Sequence, residues 1–583
     1  MKSTIPKLYL NLYWHMHQPD YRDSITHEYV LPWTYLHAIK DYSDMAFHLE
    51  ENPKARATFN FVPILLDQLE DYSQQFKLNA IRDPLLALLI EENFVDISRA
   101  QCHLIIQSCF KSHHEKMLSP FPHYQRLLRL YQLVEPMMTA SEMGEDEFHY
   151  LSAQYKEDLL VWYHLAWCGE SLRRKNTVIQ KLMAKGASFT LADRQQLFAV
   201  IGETISGLIP RYKALMNAKQ IEISTTPYYH PILPLLLDFK SNVDAMPFAP
   251  LPKNAEYSGG VSRAIAHVLS AQSSHTKYFG NKARGMWPAE GGISHATLSL
   301  MAEHHVEWAA TGQGVLANSL VKSQLNIDDK QDYLYQPYRV TNGKNDILCF
   351  FRDDQLSDKI GFEYAKMHTS DAVSDFIRTL EHTYSINTSD KSKIVSVILD
   401  GENAWEYYPY NGYYFLSELY AALANHPYIE MTTFSDIVDL YQSEEYQTKG
   451  FTAPILPLIA AGSWVYGTFS TWIGSKDKNL AWDLLCEAKK VYDQVLASNL
   501  LSRHQLAECE RQLAICEGSD WFWWFGDYNS SESVASFDKL YRRNLTNLYH
   551  LLKQPVPLEL HQTISAGGGD ADNAGTMRRG QAS

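Results

Sequence analysis

Short runs rich in apolar, aromatic and β-branched residues recur at residues 7–13 (KLYLNLY), 57–62 (ATFNFV), 220–224 (QIEIS), 306–311 (VEWAAT), 347–351 (ILCFF), 394–399 (IVSVIL) and 428–433 (YIEMTT). Between them lie stretches with apolar residues at helical spacing, among them 261–272, 295–304 and 413–424. Strand alternating with helix predicts an α/β fold around a parallel sheet, open or closed into a barrel. The strands are short and nearly continuously apolar, as expected where both faces are covered. Two regions break the rhythm. From about 64 to 215 there is little strand signal but much helical sequence, including 158–174 (DLLVWYHLAWCGESLRR), which predicts a helical insertion. From 481 the pattern is helical again, through 537–553, and the final stretch loses all apolar periodicity. The expected organisation is therefore a barrel-type unit over 1–450 carrying the insertion, a helical unit over 451–563, and a disordered tail over 564–583.

Composition narrows this picture. At 583 residues, 45% hydrophobic and 20% charged, the chain can bury large cores. Its 52 basic and 67 acidic side chains give a net charge of −15, which opposes capture by nucleic acid or an anionic membrane. No run of 18 apolar residues suggests a membrane span. The seven cysteines are odd in number and include no Cys-x-x-Cys pair, and the N-terminus lacks a cleavable leader pattern. A reduced, cytoplasmic setting is the simplest expectation. Trp and Tyr together outnumber Phe two to one (13 Trp, 36 Tyr, 24 Phe), a bias that suits a flat ligand with hydroxyls on its rim.

In a parallel barrel the loops after the strands converge on one mouth, so candidate chemistry is sought just beyond each strand. The first strand ends in His15-Met16-His17-Gln18-Pro19, with His15 and His17 on one face. Glu222 lies in the QIEIS strand. Glu290 follows Trp287-Pro288-Ala289 in a Gly-rich turn, and Asp400-Gly401-Glu402-Asn403 follows the IVSVIL strand. Two carboxylates on different strand ends, flanked by tryptophans, suit glycoside cleavage. The His-x-His pair has a rival meaning, as metal ligands in a barrel hydrolase.

These blocks, in this order, resemble those of glycoside hydrolase family 57, the α-amylase, amylopullulanase and 4-α-glucanotransferase family. Residues 350–362 (FFRDDQLSDKIGF) and 518–526 (GSDWFWWFG) fit its amylase-like branch. The resemblance implies an incomplete seven-stranded TIM-like (β/α)7 barrel with a C-terminal helical bundle, acting on α-1,4-glucans with retention and without a cofactor or metal. It further implies that Glu290 is the nucleophile and Asp400 the general acid/base. His15, His17, Glu222, Trp287 and Glu402 match positions lining the sugar subsite, and Asp520 and Trp523 match an element reaching in from the helical unit. Trp464 and Trp472 are candidate sugar platforms or core residues. Arg352 is expected to pair with one of Asp353, Asp354 and Asp358 to hold its loop.

The leading expectation is a retaining α-glucan hydrolase of amylase type acting on glycogen, starch or maltodextrins. A 4-α-glucanotransferase or branching activity would use the same carboxylates. From other classes, a metal-dependent deacetylase or amidohydrolase and a non-catalytic glucan-binding protein also accommodate parts of the pattern. Oligomeric state is not legible.

Overall fold

The computed structural model describes residues 7–140, 151–385, 392–443, 451 and 453–569. Among these, nine strands form one sheet: β1 (Leu8–Met16), β2 (Ala57–Phe61), β3 (Ile221–Thr225), β4 (Gly285–Met286), β5 (Trp308–Gly312), β6 (Tyr338–Thr341), β7 (Asp346–Arg352), β8 (Lys393–Asp400) and β9 (Ile429–Met431). Seven of them run parallel in the order β2-β3-β4-β5-β7-β8-β1, and pairing of β1 with β2 closes the ring. This is the (β/α)7 barrel. Its closure is uneven, because β7 meets β8 only at Arg352 and Ser396. β2 pairs with β1 from Tyr13 onward, while β9 pairs with Leu8–Leu10 at the opposite end of that strand.

All seven apolar runs become strands. Two strands are absent from that pattern for identifiable reasons. β4 is only Gly285–Met286, too short to show alternation, and a Cβ at Gly285 would lie 1.7 Å from the Trp308 ring. β6 folds back antiparallel on β7, outside the strand and helix alternation.

Between β2 and β3 the described residues carry a run of helices, from Pro63–Leu78 to Leu191–Asn217. The helix expected over 158–174 divides into Ala153–Trp167 and Glu170–Lys175. Between them, Gly169 packs where a Cβ would meet Asp44 Oδ1 at 2.4 Å, and the Asp44 carboxylate accepts from the Glu170 and Ser171 amides. At the C-terminal side the helices are Lys476–Ser498, Arg503–Cys516, Asp520–Trp524 and Ser531–Leu551. Helical structure thus begins later than 451, and residues 453–475 instead lie across the barrel, bridging at Ile293 with Gly462 and at Arg339 with Ile455. The expected tail is also shorter at its start. Ile564 and Ser565 are buried, their amides donate to Asp538 Oδ1, and Gly569 bridges to Ser530. Residues 570–583 of that expectation lie outside the described residues.

All seven cysteines are buried without a disulfide. Among the described residues, no helix is long and apolar enough to cross a membrane.

Candidate active site

The register of the barrel brings distant sequence blocks to one tier at the C-terminal ends of the strands. His15 is level with Asn60 on one neighbour and Asp400 on the other, and Asn60 is level with Ser224. Their side chains join: Asn60 Oδ1 accepts from His15 Nδ1 at 2.6 Å and from Thr226 Oγ1 at 2.9 Å, and Asn60 Nδ2 donates to Ser224 Oγ at 3.1 Å. This polar floor sets the orientation of the His15 ring. Gly401, after β8, donates its amide to the His15 carbonyl at 2.7 Å, and a Cβ there would lie 2.2 Å from Met16 Sδ. The close approach holds the ends of β1 and β8 together.

Above the floor is a cavity of about 750 Å³ lined by His15, His17, Glu290, Asp400, Glu402, Trp464, Asp520 and Trp523. Glu290 sits in a left-handed backbone conformation (φ 57°) after Pro288, an arrangement that costs of order 1–3 kcal/mol for a non-glycine residue. The crossing segment stabilises it: Trp464 donates its amide to the Glu290 carbonyl at 3.2 Å and its indole Nε1–H to Glu290 Oε2 at 3.1 Å. Burial first, then Asp400 and Asp520, push the Glu290 carboxyl well up, while the Trp464 indole opposes them. Burial pushes Asp400 up to about 6, against the lowering effects of the Asn403 amide, His17 and Arg352. Glu402 is raised well above the carboxylate range by burial, then by Asp400 and Asp41, and its Oε2 is buried without a partner.

The helical segment enters through two contacts. His17 Nε2 meets Asp520 Oδ1 at 2.8 Å, and His230 Nδ1 meets Ser519 Oγ at 2.8 Å while the His230 carbonyl accepts from the Ser519 amide. His230, absent from the sequence expectations, stacks on His17 with ring centres 3.9 Å apart and on His15 at 5.1 Å. Its Nδ1 is 3.9 Å from Glu290 Oε1. One ring nitrogen from each of His15, His17 and His230 lies within 4.8 Å of the others. Burial and neighbouring imidazoles hold His15 down at about 3 and His230 well below the usual range, so both rings are neutral at neutral pH. A signal for His230 existed, since it stands five residues beyond β3, in the stretch where strand-end chemistry is expected. Trp524, from the 518–526 block, also lines the cavity, as do Trp33 and Trp167, which reach it from segments whose sequence gives no active-site signal.

Two expected contacts differ. Glu222 does not reach the cavity: it is the second residue of β3, below the mouth, where its carboxylate accepts from Trp308 Nε1 at 2.9 Å and from the Ser435 amide and hydroxyl. It takes up the amide of the second residue of the helix Phe434–Gln442, whose N-cap is Thr433. Trp287 lies beneath the site, fully buried, its ring packed edge-on against Trp464 at 5.2 Å and against Tyr13 and His15. Trp472 is a core residue whose carbonyl accepts from Trp482 Nε1. Arg352 pairs with Asp354 and Asp358, each at 2.7 Å, while Asp353 caps the helix Asp354–Asp358.

The arrangement offers four carboxyl groups, neutral imidazoles and indole faces to a ligand: hydrogen bonding and acid/base chemistry on an uncharged hydroxylated molecule. The model of glycosyl hydrolase family 57 matches residues 11–461. Among solved structures, a family 57 branching enzyme from Thermococcus kodakaraensis aligns with a TM-score of 0.57 at 13% identity, covering 95% of this chain and 93% of its own. A branching enzyme of the same type from Pyrococcus horikoshii aligns with 0.54 at 14% identity (97% and 98%), and an α-amylase from Thermotoga maritima with 0.52 at 15% (94% and 94%). At such identities the likeness concerns the fold. No curated protein sequence matches the chain.

Proposed function

The chain belongs to glycosyl hydrolase family 57, and from that premise we propose that it is a retaining enzyme acting on α-1,4-glucans, with Glu290 as nucleophile and Asp400 as general acid/base. The observation that carries this reading is the meeting of both carboxyl groups in one cavity with neutral buried imidazoles and indole faces. In a retaining mechanism one carboxylate bonds the anomeric carbon while the other protonates the leaving oxygen, then deprotonates the acceptor that resolves the glycosyl-enzyme. Asp400, held up to about 6, carries its proton into the weakly acidic range. The two groups titrate as a pair, and the chemistry needs the shared proton on Asp400. The Trp464 indole N–H, which favours ionised Glu290, supports that placement. Formation of the ester removes the charge on Glu290, which eases ionisation of Asp400 for the second step.

Around the reacting bond, His15 and His17 offer hydrogen bonds to sugar hydroxyls, and Glu402, whose carboxyl its surroundings bias toward the protonated form, presents an Oε2 that has no protein partner. Asp520 orients His17, Trp464 and Trp523 supply faces for pyranose rings, and Trp287 supports Trp464 and His15 from below. Glu222 holds the barrel beneath the site.

Hydrolysis of amylase type, with water as acceptor, is the primary reading. Transfer to a sugar hydroxyl is the second, favoured by a cavity that continues past the carboxyl groups to Trp33, Trp167 and Trp524. Maltopentaose incubation separates them: hydrolysis creates reducing ends, whereas transfer redistributes chain lengths at constant ends. Glu290→Gln and Asp400→Asn test the mechanism, with azide restoring turnover in the Asp400 variant. Unchanged turnover in both variants refutes it.

A further inference from the structure

His15, His17 and His230 present more than a sugar-binding surface. In each ring one nitrogen is already engaged: His15 Nδ1 with Asn60 Oδ1, His17 Nε2 with Asp520 Oδ1, and His230 Nδ1 with Ser519 Oγ. Metal-ligating histidines characteristically use their second nitrogen in this way, toward a carboxylate, carbonyl or other polar partner that sets tautomer and ring orientation. Of the nitrogens left over, His17 Nδ1 and His230 Nε2 are buried with no hydrogen-bond partner. A ring nitrogen from each of the three residues falls within 4.8 Å of the other two. Three imidazoles suit zinc and its neighbours, and three protein ligands leave a position open to water. Charge also favours a dication, because Glu290, Asp400 and Asp520 line the same cavity and Glu290 Oε1 is 3.9 Å from His230 Nδ1.

We propose that His15, His17 and His230 form a three-imidazole site for a divalent transition ion of the zinc class, which occupies the sugar position and inhibits turnover reversibly. The ion competes for the ring nitrogens that meet sugar hydroxyls, so it is an inhibitor and not a cofactor. The rings of His17 and His230 lie face to face (23° between planes), and coordination must fan them apart, which keeps the affinity below that of a structural zinc site. The binding claim is independent of the proposed function; the competition claim rests on it.

The test is calorimetric titration of the full chain with zinc chloride alone in a non-chelating buffer near neutral pH, together with visible absorption of the cobalt(II) form. One ion per chain is expected, with the intense bands of four-coordinate cobalt. Asp520→Asn is expected to weaken binding about 10- to 100-fold, and His17→Gln and His230→Gln each by more than tenfold. Zinc is further expected to raise the apparent KM for maltopentaose at unchanged kcat, with reversal by EDTA. No uptake by the wild-type chain at millimolar zinc overturns the site, as does uptake unaltered in His17→Gln and His230→Gln. Zinc that binds at these residues but lowers kcat at unchanged KM overturns the competition. If zinc binds as described while no α-glucan is turned over, the proposed function fails and the metal site stands.

Discussion

Trp464→Phe isolates one hydrogen bond at the proposed nucleophile. The substitution keeps an aromatic ring against Trp287, 5.2 Å away, and beneath the Arg352 guanidinium, 5.6 Å from the ring centre. It trims the ring area and removes the indole N–H that reaches Glu290 Oε2 at 3.1 Å, and only the loss of that N–H bears on the Glu290 carboxyl's pKa. A hydrogen bond to a charged group is worth about 1.5–3 kcal/mol. At about 1.4 kcal/mol per tenfold in rate, its loss predicts a fall in kcat/KM of roughly 10- to 150-fold. Direction in pH is also set. The indole holds the Glu290 carboxyl down, so without it the acid limb of the profile moves to higher pH. The assay is kcat/KM on maltopentaose from pH 4 to 8, with thermal unfolding to verify that the variant is folded. Trp287→Phe is the control, because the Trp287 Nε1 has no partner to lose and that variant leaves the acid limb in place. A folded Trp464→Phe enzyme within threefold of wild type, with an unmoved acid limb, refutes the claim that this N–H stabilises the nucleophile.

Asn403→Ala removes the amide that donates to Asp400 Oδ2 at 3.3 Å and holds that group down, so the alkaline limb of kcat/KM is expected to move to higher pH than in wild type. Glu222→Gln is expected to destabilise the fold by about 1–3 kcal/mol in denaturant unfolding while leaving kcat of the folded enzyme within twofold, since the one carboxamide oxygen can serve Trp308 and the Ser435 hydroxyl but the NH2 then faces the Ser435 amide N–H donor. Glu517 is buried against Arg263 and His267, at 2.8 and 2.7 Å, and is held down at about 2. Its contribution to stability is therefore whole above about pH 4.5 and is lost as the pH falls toward 2. Glu517→Gln leaves Arg263 poorly compensated, costs about 3–5 kcal/mol, and flattens that acid dependence in a pH series of unfolding midpoints.

Much of the barrel was legible in the sequence because parallel strands covered on both faces are short apolar runs, and such runs carry their own signal. The Glu290 and Asp400 blocks were legible for a related reason: in this architecture chemistry follows the strand end directly, so position along the chain stands in for position in space. Glu222 shows where that substitution fails. It lies within its strand, and a strand's early residues sit at the closed end of the barrel, where Trp308 and Ser435 claim the carboxylate. His230 shows the converse, since a five-residue excursion past β3 and a left-handed backbone (φ 60°) bring the ring against those of His17 and His15.

The sequence by itself therefore determined the architecture and pointed to the helical insertion and to the two candidate carboxyl groups, each through local periodicity or a short block. Only the tertiary structure decided how those groups are tuned. The Trp464 indole reaches Glu290 across 174 residues and Asp520 reaches His17 across 503. Burial that raises Asp400 to about 6 and lowers His15 to about 3 is a property of the closed cavity. Electrostatic environment depends on what surrounds a group in three dimensions, and no residue carries that in its own name or in its neighbours'.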